Sequence, residues 1–143
     1  MMTKHVSRWG WAAALAVGIV IGLCADRALV AQQSGITRTE LTRVDVPGST
    51  THEAVMAIAE IAPGSSSGRH FHHGVEIGYV LSGSLTVQRP DGSTNTYAQG
   101  QAFRNPASEI HDGKNPGAAP VKSLGVYIVE KGKPLAEAAP AEK

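Results

Sequence analysis

Beyond residue 38 the chain carries no sustained helical period. Glycine and proline cut it into short apolar runs instead, at Pro47–Gly48, Pro63–Gly64, Gly83, Pro90–Asp91–Gly92 and Gly100. Turn residues at such spacing predict an all-β chain of short strands. "TELTRVDV" (Thr39–Val46) alternates loosely and ends at a turn. "EAVMAIAEIAPG" (Glu53–Gly64) has a helix-favouring composition. Yet Val55, Ala57, Ala59 and Ile61 share one face by period two, and with strands on either side the segment is read as a strand. Val75–Leu81 and Ser84–Arg89 form two strands joined at Ser82–Gly83. Ser93–Phe103 continues the β pattern, broken by Gly100. Residues 104–120 are rich in turn formers, and Val121–Gly132 is a last clear strand. The expected architecture is a small sandwich or barrel.

The 143 residues suffice for one domain with a core and not for two. The domain is expected over 39–132, with a polar linker at 32–38 and a loose, small-residue tail from Lys133 to Lys143. Residues 1–31 read as a separate object. Lys4, His5 and Arg8 precede Trp9–Ala25, 17 residues without a charge. A basic start and an apolar run ending among small residues fit a cleaved export signal, with Ala31 as the cleavage position. Seventeen residues is also the lower limit for a spanning helix, so an uncleaved anchor is the alternative. Either way the domain is expected outside the cytoplasm: in the periplasm or otherwise exported, or held on the inner membrane through this segment. The sole cysteine, Cys24, lies in this run. Leu23 before it is too large for a lipidation signal.

Net charge is +1, and without the leader 13 basic and 12 acidic residues become 10 and 11. No Lys/Arg cluster or interleaved aromatic pattern marks a nucleic-acid surface.

The chemistry concentrates in "GRHFHHGVEIGYVLSG" (Gly68–Gly83). On a strand, His70 and His72 point to one face and His73 to the other. Glu76 follows after a glycine at which a second strand can begin. His111 arrives from the turn-rich segment after Pro106. Three neutral imidazoles and one carboxylate suit a divalent transition metal, and can leave positions open for water, substrate or dioxygen. Taken singly, such residues mean less. His5 and His52 read as surface or hydrogen-bonded histidines, and an HxH pair alone is weak evidence. Tyr79 points away from the Glu76 face, whereas Gly78 and Val80 share it. Glu60, Gln88, Phe103 and Asn115 are candidates for the pocket, each equally readable as barrel filling or turn chemistry.

Spacing adds to this. The chain reads Gly64, five residues, His70, one residue, His72, three residues, Glu76, six residues, Gly83. Further on it reads Gly100, five residues, Pro106, one residue, Ser108, two residues, His111, three residues, Asn115. These resemble the two signature motifs of the cupin superfamily, and the stretch between them, Ser84–Gln99, has the short length of small bacterial single-domain members. The one departure is Ser108, where the family usually has glycine. The resemblance implies a double-stranded β-helix, or jelly-roll barrel. It also implies that His70, His72, Glu76 and His111 bind a divalent metal (Fe, Mn, Ni, Cu or Zn), with His73 outside the ligand set.

The expected function is a metal-dependent enzyme acting on a small oxygen-bearing molecule, of dioxygenase, isomerase, decarboxylase or lyase type. The alternatives are a non-catalytic module holding a small ligand such as a sugar or carboxylate, and a metal that only staples the barrel. Fold alone does not choose among them. The expected partner is a small molecule and not a nucleic acid. By analogy a homodimer could form through strands outside the barrel, such as Thr39–Val46.

Overall fold

The computed structural model describes residues 35–140. The export signal or anchor expected over 1–31 lies outside the described residues. Ten strands follow in chain order: β1 (Ile36–Asp45), β2 (His52–Ile61), β3 (His70–Phe71), β4 (Gly74–Ser82), β5 (Ser84–Gln88), β6 (Thr94–Ala98), β7 (Ala102–Asn105), β8 (Asp112–Lys114), β9 (Val121–Glu130) and β10 (Glu137–Ala138). No helix occurs among the described residues. The strands form an antiparallel five-stranded sheet, β1-β2-β9-β4-β7, a three-stranded sheet, β6-β5-β8, and the short pair β10-β3. This is an all-β double-stranded β-helix.

Alternation along the strands builds the core. On β4, Glu76, Gly78 and Val80 are buried, while Ile77, Tyr79 and Leu81 face outward. Ile36, Ile61, Val80, Phe103 and Val121 of the large sheet meet Leu85 and Val87 of β5 in one buried cluster. A second cluster joins Val55 and Ala57 of β2 to Tyr127 and Val129 of β9. Each fully buried side chain of this size contributes about 1.5–3 kcal/mol over its exposed state. Gly78 is required by close approach, since a Cβ there would lie 2.1 Å from the Phe103 ring.

The structure differs from the sequence-based expectation at three places. The linker expected over 32–38 is shorter, because β1 begins at Ile36. Ile36, Thr37 and Arg38 pair with Ile61, Glu60 and Ala59. The turn-rich segment contains β8, which pairs with β5. The tail expected to be loose from Lys133 is docked as far as Ala139, whose amide donates to the Arg69 carbonyl. Glu137 and Ala138 pair with Phe71 and His70, and Leu135 packs on the second core cluster. Each difference comes from pairing with another strand, the next one for β1 and more distant ones for β8 and β10, which local composition does not record.

Candidate metal centre

Four buried polar side chains converge inside the barrel: His70, His72, Glu76 and His111, at 5, 1, 7 and 3% exposure. Their backbones are tied together before any side chain is considered. His70 and His111 form an isolated antiparallel bridge, each amide donating to the other's carbonyl at 3.0 and 2.9 Å. The His72 carbonyl accepts from the Ser108 amide at 3.0 Å, which fixes the turn before His111 to the strand carrying the HxH pair.

Ser108 occupies the left-handed region, with φ of 59°. The turn therefore needs the conformation that glycine supplies freely, and serine adopts it at a local cost. Ser108→Gly should raise the unfolding free energy by about 0.5–1 kcal/mol in a denaturant titration, since relief of the left-handed strain exceeds the added chain entropy. A loss of stability would contradict the strain argument.

The tautomers follow from the partners. The Nδ1 atoms of His70, His72 and His111 lie 2.7, 2.5 and 2.9 Å from the carbonyls of Gly68, Leu135 and Glu109. A carbonyl only accepts, so each Nδ1 carries a hydrogen and each Nε2 is the atom left to face the cluster. The ligand atoms of the three rings all lie within 4.8 Å of one another, so the cluster could hold a metal ion. The Nε2 of His72 is buried with no hydrogen-bond partner. Glu76 Oε2 is 3.3 Å from it and 3.7 Å from His111 Nε2. These ring nitrogens thus face a carboxylate oxygen, an arrangement that a cation, a proton or a metal ion, stabilises.

Protonation states agree. Burial, reinforced by His111 and His72, pushes His70 down to about 3, and burial also lowers His111. Burial alone would raise Glu76. The His72 ring, the Asn105 amide and the Tyr127 hydroxyl outweigh it and hold the carboxyl at about 2. At neutral pH the site therefore presents neutral His70 and His111 rings beside a carboxylate, the forms a metal needs.

The same shifts set the acid limit of the metal-free protein. Below pH 6.5 the unfolded chain protonates His70 while the folded chain resists until about 3. Stability must therefore fall as pH drops through that window, by about 1.4 kcal/mol per pH unit for such a group. Glu76 adds a loss between 4.5 and about 2, because its folded value is also depressed. Urea midpoints of the metal-free protein should decline steadily from pH 6.5 to 4.5. A flat profile would mean that these rings are hydrated.

Glu76 has a neighbour on each side. The strand register sets Asn105 of β7 and Tyr127 of β9 directly across from it. Asn105 Nδ2 donates to Glu76 Oε2 at 2.5 Å, and Tyr127 is 3% exposed with its ring 4.9 Å from that of His72. Neither residue is marked by sequence alone, since only the register reveals them. His73 turns away, as strand parity predicts, and lies 2.6 Å from Glu137 of β10.

Of the four pocket candidates, Phe103 lines the interior cavity. Glu60 faces outward and pairs with Lys122 at 2.7 Å. Asn115 fastens a turn, donating to the carbonyls of Ile61 and Ala119. Gln88 lines a second pocket with Arg89 and Pro90, and His111 borders that pocket too.

Fold and site together define a small β-barrel with a buried histidine cluster suited to a metal. Comparison with known proteins gives the family. Residues 57–127 match the Cupin domain family, and the chain is a small member of the cupin superfamily. Among curated proteins none matches. Solved structures with the same fold include a conserved protein with a double-stranded β-helix domain from Klebsiella pneumoniae (19% identity, TM-score 0.60, covering 74% of this chain and 88% of that one). The polyketide cyclase RemF from Streptomyces resistomycificus aligns at 26% identity and TM-score 0.59, over 77% of this chain and 75% of its own. A cupin domain from Bordetella pertussis aligns at 18% identity and TM-score 0.54, over 68% of this chain and 96% of its own.

Proposed function

We propose that the chain is a metal-dependent cupin enzyme acting on a small oxygen-bearing molecule, with His70, His72, Glu76 and His111 holding a divalent transition metal. The observation that carries this reading is the orphaned, fully buried Nε2 of His72, aimed at the same space as two other imidazole lone pairs and a carboxylate. The likeness to a protein named as a polyketide cyclase supports an enzyme over a structural role.

When bound, such an ion supplies Lewis acidity toward a substrate oxygen and, if redox-active, electron exchange with dioxygen. The chain's part is to fix the geometry and exclude water. Three backbone carbonyls lock the ring tautomers, while Asn105 and Tyr127 hold the Glu76 carboxylate charged. Leu85 and Phe103 wall the cavity beside the cluster with apolar surface and limit the water it can hold.

Natively purified protein should contain close to one transition-metal ion per chain. Reconstitution with Fe, Mn, Ni, Cu and Zn, followed by oxygen-uptake and substrate screens, then tests turnover. A preparation that refuses all five ions removes the site. Tight ligand binding with no reaction under any ion would establish the binding module instead. We further propose that the domain works outside the cytoplasm, on the strength of the charge-free run Trp9–Ala25. Fractionation with N-terminal sequencing tests this, and a cytoplasmic protein retaining Met1 would contradict it.

A further inference from the structure

One cation of the barrel interior is not used by the metal site. Arg38, the third residue of β1, pairs through its backbone with Ala59 and is half-buried. Its side chain lines a cavity shared with His70, Glu76, His111 and Tyr127. The space there open to water is about 40 Å³, enough for a small polar group. Other cations of the domain are matched by carboxylates: Arg43 by Glu40 and Glu53, Arg89 by Glu109, Lys122 by Glu60. Arg38 has no such match among the described residues. Burial weighs against its charge and lowers its pKa, while the nearby Tyr127 hydroxyl and Glu76 carboxylate act the other way.

Once Glu76 is committed to a divalent cation, it no longer compensates the guanidinium. A neutral ligand would then leave a desolvated cation without a partner, which is costly. A carboxylate would supply two oxygens to a planar fork built to accept them. We propose that this cavity binds a small carboxylic acid bearing a second oxygen, a 2-hydroxy or 2-oxo acid, with Arg38 holding the carboxylate and the other oxygen directed toward the histidine cluster. This rests on the metal reading twice, for the second contact and for drawing Glu76 away from Arg38, while the carboxylate contact itself is made by Arg38.

The test uses the full chain, with glycolate and its neutral amide, glycolamide, as probes. Metal content is measured first in the wild type, Arg38→Gln and Arg38→Lys. All three are expected to carry equal metal, since Arg38 is not a ligand. Calorimetric titration should then show the wild type preferring glycolate by about ten- to a hundredfold, the worth of one charge-assisted pair. Arg38→Gln should lose that preference, and Arg38→Lys, which keeps the charge without the fork, should keep part of it. Equal binding of the two probes by the wild type, no glycolate binding at millimolar concentration, or an undiminished preference in a folded Arg38→Gln would overturn the proposal. If no metal loads, the ligand-set reading has failed. The same comparison on metal-free protein then decides the Arg38 contact by itself.

Discussion

His72→Ala should reduce metal affinity by more than about a hundredfold, because losing even a hydrogen-bond partner of a ligating histidine typically costs 10–100-fold. The substitution removes the Nε2 lone pair that has no other partner, and it strands the Leu135 carbonyl that accepted from Nδ1. Turnover should vanish with the metal. Stability of the metal-free protein should fall as well. The ring is 1% exposed, so its loss opens a cavity against Tyr127. It also takes away the ring that, 3.3 Å from Glu76, holds that carboxyl charged. The loss of metal and the loss of stability are distinct effects. Metal analysis after dialysis, paired with denaturant unfolding in chelator, separates the two. Full metal retention by the folded variant would remove His72 from the ligand set.

Deleting residues 134–143 should produce the second large effect, although the segment supplies none of the proposed ligands. Leu135 packs on the cluster of Val55, Ala57, Tyr127 and Val129, and its carbonyl sets the His72 tautomer. The adjoining strand pairs with His70 and Phe71, and Glu137 lies against His73. Removing this strap costs the apolar burial, about 1–2 kcal/mol for a partly buried leucine. It also frees the His72 ring to rotate or change tautomer, and metal affinity should fall by about 10–100-fold. Both changes are read from melting with and without metal. A truncated chain that binds metal as tightly as the full one would show that the ring is held by packing alone. Leu135→Ala discriminates further. It keeps the carbonyl, so it should lower stability with little effect on metal affinity.

The clustering of the candidate residues was legible because it depends on local rules: i and i+2 on one strand face, a glycine between two strands, and a fixed motif spacing. The structure brings His70, His72, Glu76 and His111 together as that spacing implies. The surroundings of the site were not legible, for one physical reason. Asn105 and Tyr127 meet Glu76 through cross-strand register, and Leu135 meets His72 across 63 residues of chain. Nothing near Asn105 or Tyr127 in sequence distinguishes them from turn or packing residues. Arg38 was assigned to a linker because Gln32–Thr37 is polar, yet β2 offers that segment a partner. Ser108 was legible as an anomaly, and its positive φ shows that the turn kept its shape while the residue changed.

The strand order of the large sheet also bears on how the molecule is made. β9 lies between β2 and β4 and hydrogen-bonds to both along nearly its whole length. It is nevertheless the penultimate strand to leave the ribosome. Until it emerges, β2 and β4 each present an unsatisfied edge, and the pairing of His52 with Glu130 cannot close. Contacts of such sequence separation fold slowly, on the scale of milliseconds to seconds. A metal site would therefore be enclosed only once β9 has emerged, and a stalled or prematurely terminated chain exposes two sticky strands to its neighbours rather than a partial barrel.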